Sequence, residues 1–245
     1  FYLELKENII FKRFLWALLI SISCLIHFYF TVMLLIIFIS FLTKNFKIKY
    51  FKSIFIIFGS LIFTMYIIGY FHVPFSDALA YGYGNYSLDL ASFFINKSSV
   101  VNGSVNWSAF INNKTDIRSE GFGYLGLGGI IFLSYLIFNF VHKFKIEIKD
   151  KNFTPYIFIT LICFLIAISN KIYLFNNLIF EIEIPKILYG LLSVVRASGR
   201  LIWPVYYLIF IFAIFKIYKN FQRKKSISIL ILLFLLQISD IYPGI

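Results

Sequence analysis

From Phe14 to Leu42 the chain runs for 29 residues without a Lys, Arg, Asp or Glu. A helix needs about 20 mostly apolar residues to cross about 30 Å of hydrocarbon. Five further stretches meet or approach that requirement: Ile54–Tyr70, Leu125–Val141, Pro155–Ser169 (extending toward Phe175), Leu201–Tyr218 and Ile227–Ile238. Backbone polar groups in lipid must be satisfied within the segment, and the run Leu34-Leu35-Ile36-Ile37-Phe38-Ile39 lacks the alternation of a membrane strand. The sequence therefore predicts an all-α, polytopic helical membrane protein with about 6–7 transmembrane or half-membrane helices. Only 14% of residues are charged and 60% are hydrophobic, against about 25% and about 45–50% in soluble domains. That balance excludes a water-soluble domain, and disorder, which needs low hydrophobicity.

The distribution of basic residues sets an orientation. Lys44, Lys47, Lys49 and Lys52 fill one link; Lys143, Lys145, Lys149 and Lys151 a second; Lys216, Lys219, Arg223, Lys224 and Lys225 a third. These links, about 43–53, 142–154 and 216–226, are expected on the cytoplasmic side, with outer loops at about 71–124 and 170–200 in a single membrane domain, 1–245. The formal charge of +12 is spread between apolar runs rather than over one face, which argues against a nucleic-acid partner. As one helix, Phe14–Leu42 would be about 43 Å long, with Lys12, Arg13 and Lys44 placing both ends on the cytoplasmic side. Two short helices meeting near His27, close to the outer side, satisfy the charge rule; one long tilted helix is the alternative.

The outer loop 71–124 is too long for a plain connection. It holds Asn-x-Ser/Thr triplets at Asn85, Asn96, Asn102, Asn106 and Asn113. They would be glycan acceptors in a secreted eukaryotic protein, but a segment rich in Asn and Ser produces them unaided, and the heavy use of Ile, Phe, Lys, Asn and Tyr suggests an AT-rich bacterial genome. The run Glu120-Gly121-Phe122-Gly123-Tyr124-Leu125-Gly126-Leu127-Gly128-Gly129 is neither a Walker nor a dinucleotide motif; its glycines suit close helix packing. Glu120 is either a solvated charge or a boundary carboxylate facing a cavity.

Arg196 and Arg200 precede Leu201-Ile202-Trp203-Pro204 on the side where arginine is unexpected. A helix N-terminus with open N–H groups, joined to arginine, suits a phosphate; snorkelling to head groups, or pairing with Glu181 and Glu183, is the alternative. Glu181-Ile182-Glu183 shares one face only if extended. His27, His72 and His142 have no metal-ligand spacing, and Cys24 and Cys163 sit in apolar runs as packing residues. No metal or cofactor is expected, although a divalent metal stays open. The chain starts at Phe1 and stops just after an apolar run, which reads as an internal piece of a longer protein.

Tyr81-Gly82-Tyr83-Gly84-Asn85-Tyr86-Ser87-Leu88-Asp89-Leu90, then Trp107, then 120–126 and 196–204, together with Ile26-His27-Phe28-Tyr29, make a series that resembles a group of bacterial multi-spanning proteins similar to the GT-C membrane glycosyltransferases. The resemblance covers about Trp16 to Asp240. It implies transfer of a sugar from a polyprenyl-phosphate donor to a glycan acceptor of the cell envelope, at the outer face of the bacterial cytoplasmic (inner) membrane. Arg196 and Arg200 would then bind the phosphate, and Glu120, Tyr124, His27, Tyr81 and Asn85 would line the cavity. The catalytic acid of such enzymes lies in the first outer loop; no Asp here matches it, so that residue is expected upstream of Phe1. A non-enzymatic transporter or flippase of lipid-linked glycan precursors, or a membrane scaffold, is the rival expectation.

Overall fold

The long uncharged run folds as two helices that break at His27. A computed structural model describes residues 13–44, 51–72, 83–100, 103–147, 154–185, 192 and 195–244. Helix α1 (Arg13–Ile26) ends just before His27 and α2 (Phe28–Lys44) begins just after it. The polar cluster read from the sequence makes the corner. The Ser23 hydroxyl bonds the Ile20 carbonyl at 2.7 Å and the Thr31 hydroxyl at 3.1 Å. His27 Nδ1 accepts the Tyr29 N–H at 3.3 Å, which satisfies one of the open N–H groups of a helix start. The Trp16 ring lies 5.5 Å from Phe38 and 5.6 Å from Phe41, at matching distances either side of the corner, so the pair is an antiparallel hairpin. Helix α3 (Phe51–Ile67) adds Ile57 and Leu61 to this core. The long tilted helix does not form.

By internal contacts the chain divides into Phe1–Leu79 with Ile146–Cys163, and Ala80–Lys145 with Phe164–Ile245. Helices α1 to α3 belong to the first unit. The second is built on α4 (Gly126–Glu147), the end of α5 (Thr154–Ile168), α6 (Trp203–Asn220) and α7 (Arg223–Ile241). Phe132, Ala213, Ile217 and Leu233 form its buried core. Helices α4 and α6 run parallel: Phe132 meets Phe210 edge-on at 5.6 Å, and ten residues on, Asn220 Nδ2 donates to Tyr135 at 2.9 Å and to Asn139 at 3.2 Å. Helix α7 returns antiparallel to both.

The described residues are mostly helical, 67% helix against 10% strand. Among the described residues, two helices are long and apolar enough to cross a membrane, Ser198–Asn220 and Arg223–Gly244. Only 33% and 11% of their apolar windows are buried. The apolar helices Arg13–Ile26, Phe28–Leu42, Phe51–Ile67, Gly126–Asn139 and Thr154–Ile168 are shorter.

At the starts of α4 and α6 and the end of α7 sits a polar cap formed by residues 83–100, 103–125, 169–185 and 195–202. Its strands are the departure from the all-α expectation. Strand β1 (Lys97–Val100) pairs antiparallel with β2 (Gly103–Asn106) and parallel with β3 (Ile117–Arg118). Strands β4 (Lys171–Leu174) and β5 (Asn177–Glu181) form a hairpin. Its turn residues Phe175 and Asn176 have φ of 51° and 64°, as a two-residue type I′ turn demands. The buried Asp89 holds that turn, its carboxylate accepting the N–H groups of Phe175 at 3.1 Å and Asn176 at 2.7 Å. Residues 88–90 pack against the end of α5 and strand β4. Leu88 N–H reaches the Ala167 carbonyl at 2.8 Å, and Leu90 N–H that of Tyr173 at 2.9 Å. The basic link around Lys219–Lys225 lies at the other end of α6, about 27 Å along an 18-residue helix.

The glycine run serves helix packing. Gly126 has φ +75°, and a Cβ there would strike the Gln237 amide; a Cβ at Gly128 would lie 2.8 Å from the Leu233 carbonyl. Gly126→Ala is expected to cost about 1–3 kcal/mol, through backbone strain and the displaced Gln237. A lowered unfolding midpoint in detergent checks this. Among the Asn-x-Ser/Thr triplets, Asn96 is fully buried and its amide bonds Asn106 and the Ile111 carbonyl, while Asn113 N–H reaches its Oδ1 at 3.2 Å. It is a structural amide, closed to a glycan in the folded chain.

Candidate functional site in the polar cap

Arg200 and Glu120 come together from two short 3-10 turns, Ser198–Ile202 and Ser119–Gly121. Arg200 Nε donates to Glu120 Oε2 at 2.8 Å and Nη2 to Oε1 at 2.7 Å, the two-pronged geometry that fixes a guanidinium in position. The side chains keep 36% and 30% exposure, so a ligand can reach the pair. The turn bearing Arg200 runs straight into α6, with Pro204 in the first turn. Glu181, which the sequence offered as an alternative partner for arginine, pairs with Lys171 at 3.2 Å. The N–H groups at this turn are not all open: Gly199 donates to the Tyr86 carbonyl at 3.0 Å and Arg200 to that of Ala197 at 3.1 Å. Arg196 is exposed.

A second polar centre lies where α7 ends. Asp240 is fully buried. Its Oδ2 accepts the Tyr124 hydroxyl and the Leu127 N–H, each at 2.8 Å, its Oδ1 accepts the Ser108 hydroxyl, and its carbonyl accepts Ala109 N–H at 2.7 Å. One turn earlier, Gln237 accepts Gly129 N–H and donates to the Leu125 carbonyl, both at 3.0 Å. Leu125 cannot cap α4 itself, so α7 supplies the partners for its first-turn N–H groups and a negative charge for its positive end. Burial pushes the Tyr124 phenol well above its usual range, so the hydroxyl stays protonated as a donor. Tyr124 thus belongs to a structural network.

A cleft of about 420 Å³ opens in the cap, lined by Tyr83, Asn85, Asn170, Lys171, Glu181 and Glu183 with Ile182 and Ile184. It contains Asn85 and both carboxylates of the extended Glu181-Ile182-Glu183 stretch, but not Arg200, Glu120 or Tyr124. Arg118 stacks its guanidinium 4.4 Å over the Tyr173 ring and reaches the Asn85 carbonyl at 3.3 Å. His27 belongs to the first unit, at the hairpin corner. Tyr81 lies outside the described residues. Among the described residues no cluster of three His, Cys, Asp or Glu could hold a metal.

Residues 1–242 match the family described as a domain of unknown function, DUF6311. The chain belongs to that family. No curated protein and no solved structure matches it. Sequence reading missed Asp240, Gln237, Asn170 and Lys171. One signal for Asp240 was available: an acidic residue closing an apolar run whose other end is basic needs a buried partner.

Proposed function

We propose that this chain is the membrane-embedded part of a multi-pass glycosyltransferase of GT-C type in the bacterial inner membrane, using a polyprenyl-phosphate-linked sugar at the outer face. One observation carries the reading: a guanidinium, fixed by Glu120 yet one-third exposed, stands at the head of the apolar helix Ser198–Asn220. A lipid phosphate at the membrane boundary would meet such a group first. The largely unburied apolar windows of α6 and α7 support the membrane setting, since the core helix of a soluble protein is mostly buried. Arg200, with the exposed Arg196, would hold the departing phosphate and stabilise its charge.

A second reading, a transporter or flippase of lipid-linked glycan precursors, is favoured by the state of the buried carboxylates. Asp89 and Asp240 each accept several structural hydrogen bonds and are poorly placed to act as bases. The test is the whole protein in proteoliposomes with a labelled polyprenyl-phosphate sugar. Glycosyl transfer releases polyprenyl phosphate and moves the label to a water-soluble acceptor. If the intact donor only changes leaflet, the transporter reading replaces the enzyme.

A further inference from the structure

The cleft bounded by Tyr83, Asn85, Asn170, Lys171, Glu181 and Glu183 is separate in composition from the Arg200–Glu120 pair: neither member of that pair lines it. Its volume of about 420 Å³ falls in the range of small-molecule sites, about 300–1,000 Å³. The walls are stiff. Asn170 is buried, with its Nδ2 donating to the Ile182 carbonyl at 3.2 Å and its Oδ1 accepting the Ser169 hydroxyl at 3.2 Å. Gly84 takes φ +85° where a side chain would strike Asn170, so residues 83–85 lie close against that wall. Lys171 and Glu181 are tied across the hairpin at 3.2 Å.

The lining chemistry selects the ligand. One ammonium faces two carboxylates, so the lining has a net negative charge and repels phosphate. Glu181 is already neutralised by Lys171, which leaves Glu183 beside the amides of Asn85 and Asn170 and the Tyr83 ring. Amides and a carboxylate both pair with adjacent hydroxyl groups, amides as donor and acceptor, the carboxylate as a two-oxygen acceptor. We propose that this cleft binds a hydroxyl-rich, neutral or cationic sugar ring, the end of a glycan acceptor, and excludes phosphorylated sugars. The assignment of that ring as an acceptor rests on the glycosyl-transfer reading above; the binding itself does not. Residues 83–89 form both the cleft wall and, through the Tyr86 carbonyl on Gly199 N–H, the support of the turn that carries Arg200. The acceptor and the donor phosphate would thus share one scaffold while meeting groups of opposite charge.

The experiment uses the full chain in nanodiscs and saturation-transfer NMR with three probes: glucose, glucosamine and a glucose phosphate ester. Glucose and glucosamine should give signals, glucosamine the stronger, and the phosphate ester the weakest. Glu183→Gln should weaken glucosamine by about tenfold, the size of one lost charge-assisted hydrogen bond, and erase its advantage over glucose. Asn85→Leu should weaken both neutral and cationic rings; the Asn85 carbonyl, which serves Arg118, is untouched by that change. Both sites are exposed, so folding should survive, and unchanged polyprenyl-phosphate binding by the variants would verify this. The proposal is overturned if no sugar binds, if the phosphate ester binds best, or if both variants bind like the parent. Loss of polyprenyl-phosphate binding with sugar binding intact would sink the glycosyl-transfer reading alone.

Discussion

Replacing Asp240 with alanine should dismantle the polar cap. The carboxylate is the acceptor for Tyr124, Leu127 N–H and Ser108, and Asp240 is fully buried. A buried donor left without a partner costs about 1–3 kcal/mol, so three such donors cost at least about 3 kcal/mol. A domain is stable by only about 5–15 kcal/mol, and the loss would also strip the positive end of α4 of its negative partner. Native-state hydrogen exchange should show the amides of 108–111 and 127–129 losing protection together. Asp240→Asn, which keeps one acceptor oxygen and the shape, should lose less. If Asp240→Ala exchanged like the parent, the carboxylate would not be the link between α7 and α4.

Arg200→Ala should abolish sugar transfer while leaving the fold standing. The Arg200–Glu120 pair is about one-third exposed, and pairs of that kind contribute about 0–1 kcal/mol to stability. A group that stabilises charge on a leaving phosphate is worth far more to the reaction, about 100-fold or more when removed. The expected signature is therefore a thermal midpoint nearly unchanged and a turnover near background. Glu120→Gln should keep the guanidinium but loosen its position, and so lie between. Arg200→Lys keeps the charge but not the fork, and should recover only part of the binding. A large fall in stability with turnover unchanged would make the pair structural.

What the sequence showed and hid follows from range. The apolar runs and the corner at His27 were legible, because composition and local polarity act over short distances or on whole segments. The strands were not: β3 has two residues and β1, β2 and β4 four each, too few for alternation to register. The hairpin turn Phe175–Asn176 carries no glycine; Asp89, 86 and 87 residues earlier, holds it. Likewise the partner of Arg200 is Glu120, 80 residues away, although Glu181 and Glu183 stand nearer in sequence. The glycines of 126–129 announced close packing but not Gln237 as the side chain they admit. Pairings over such separations are set by the fold as a whole and leave no local pattern.

The central claim is that the polar cap binds a lipid-linked phosphate through Arg200. Native mass spectrometry of the full chain with polyprenyl phosphate and with the matching polyprenol tests it most directly. The account predicts that the phosphate is held about tenfold or more tightly than the alcohol, as charge-assisted hydrogen bonds require, and that Arg200→Ala abolishes the difference. Equal binding of the two lipids, or a phosphate preference that survives Arg200→Ala and Arg196→Ala, would contradict it.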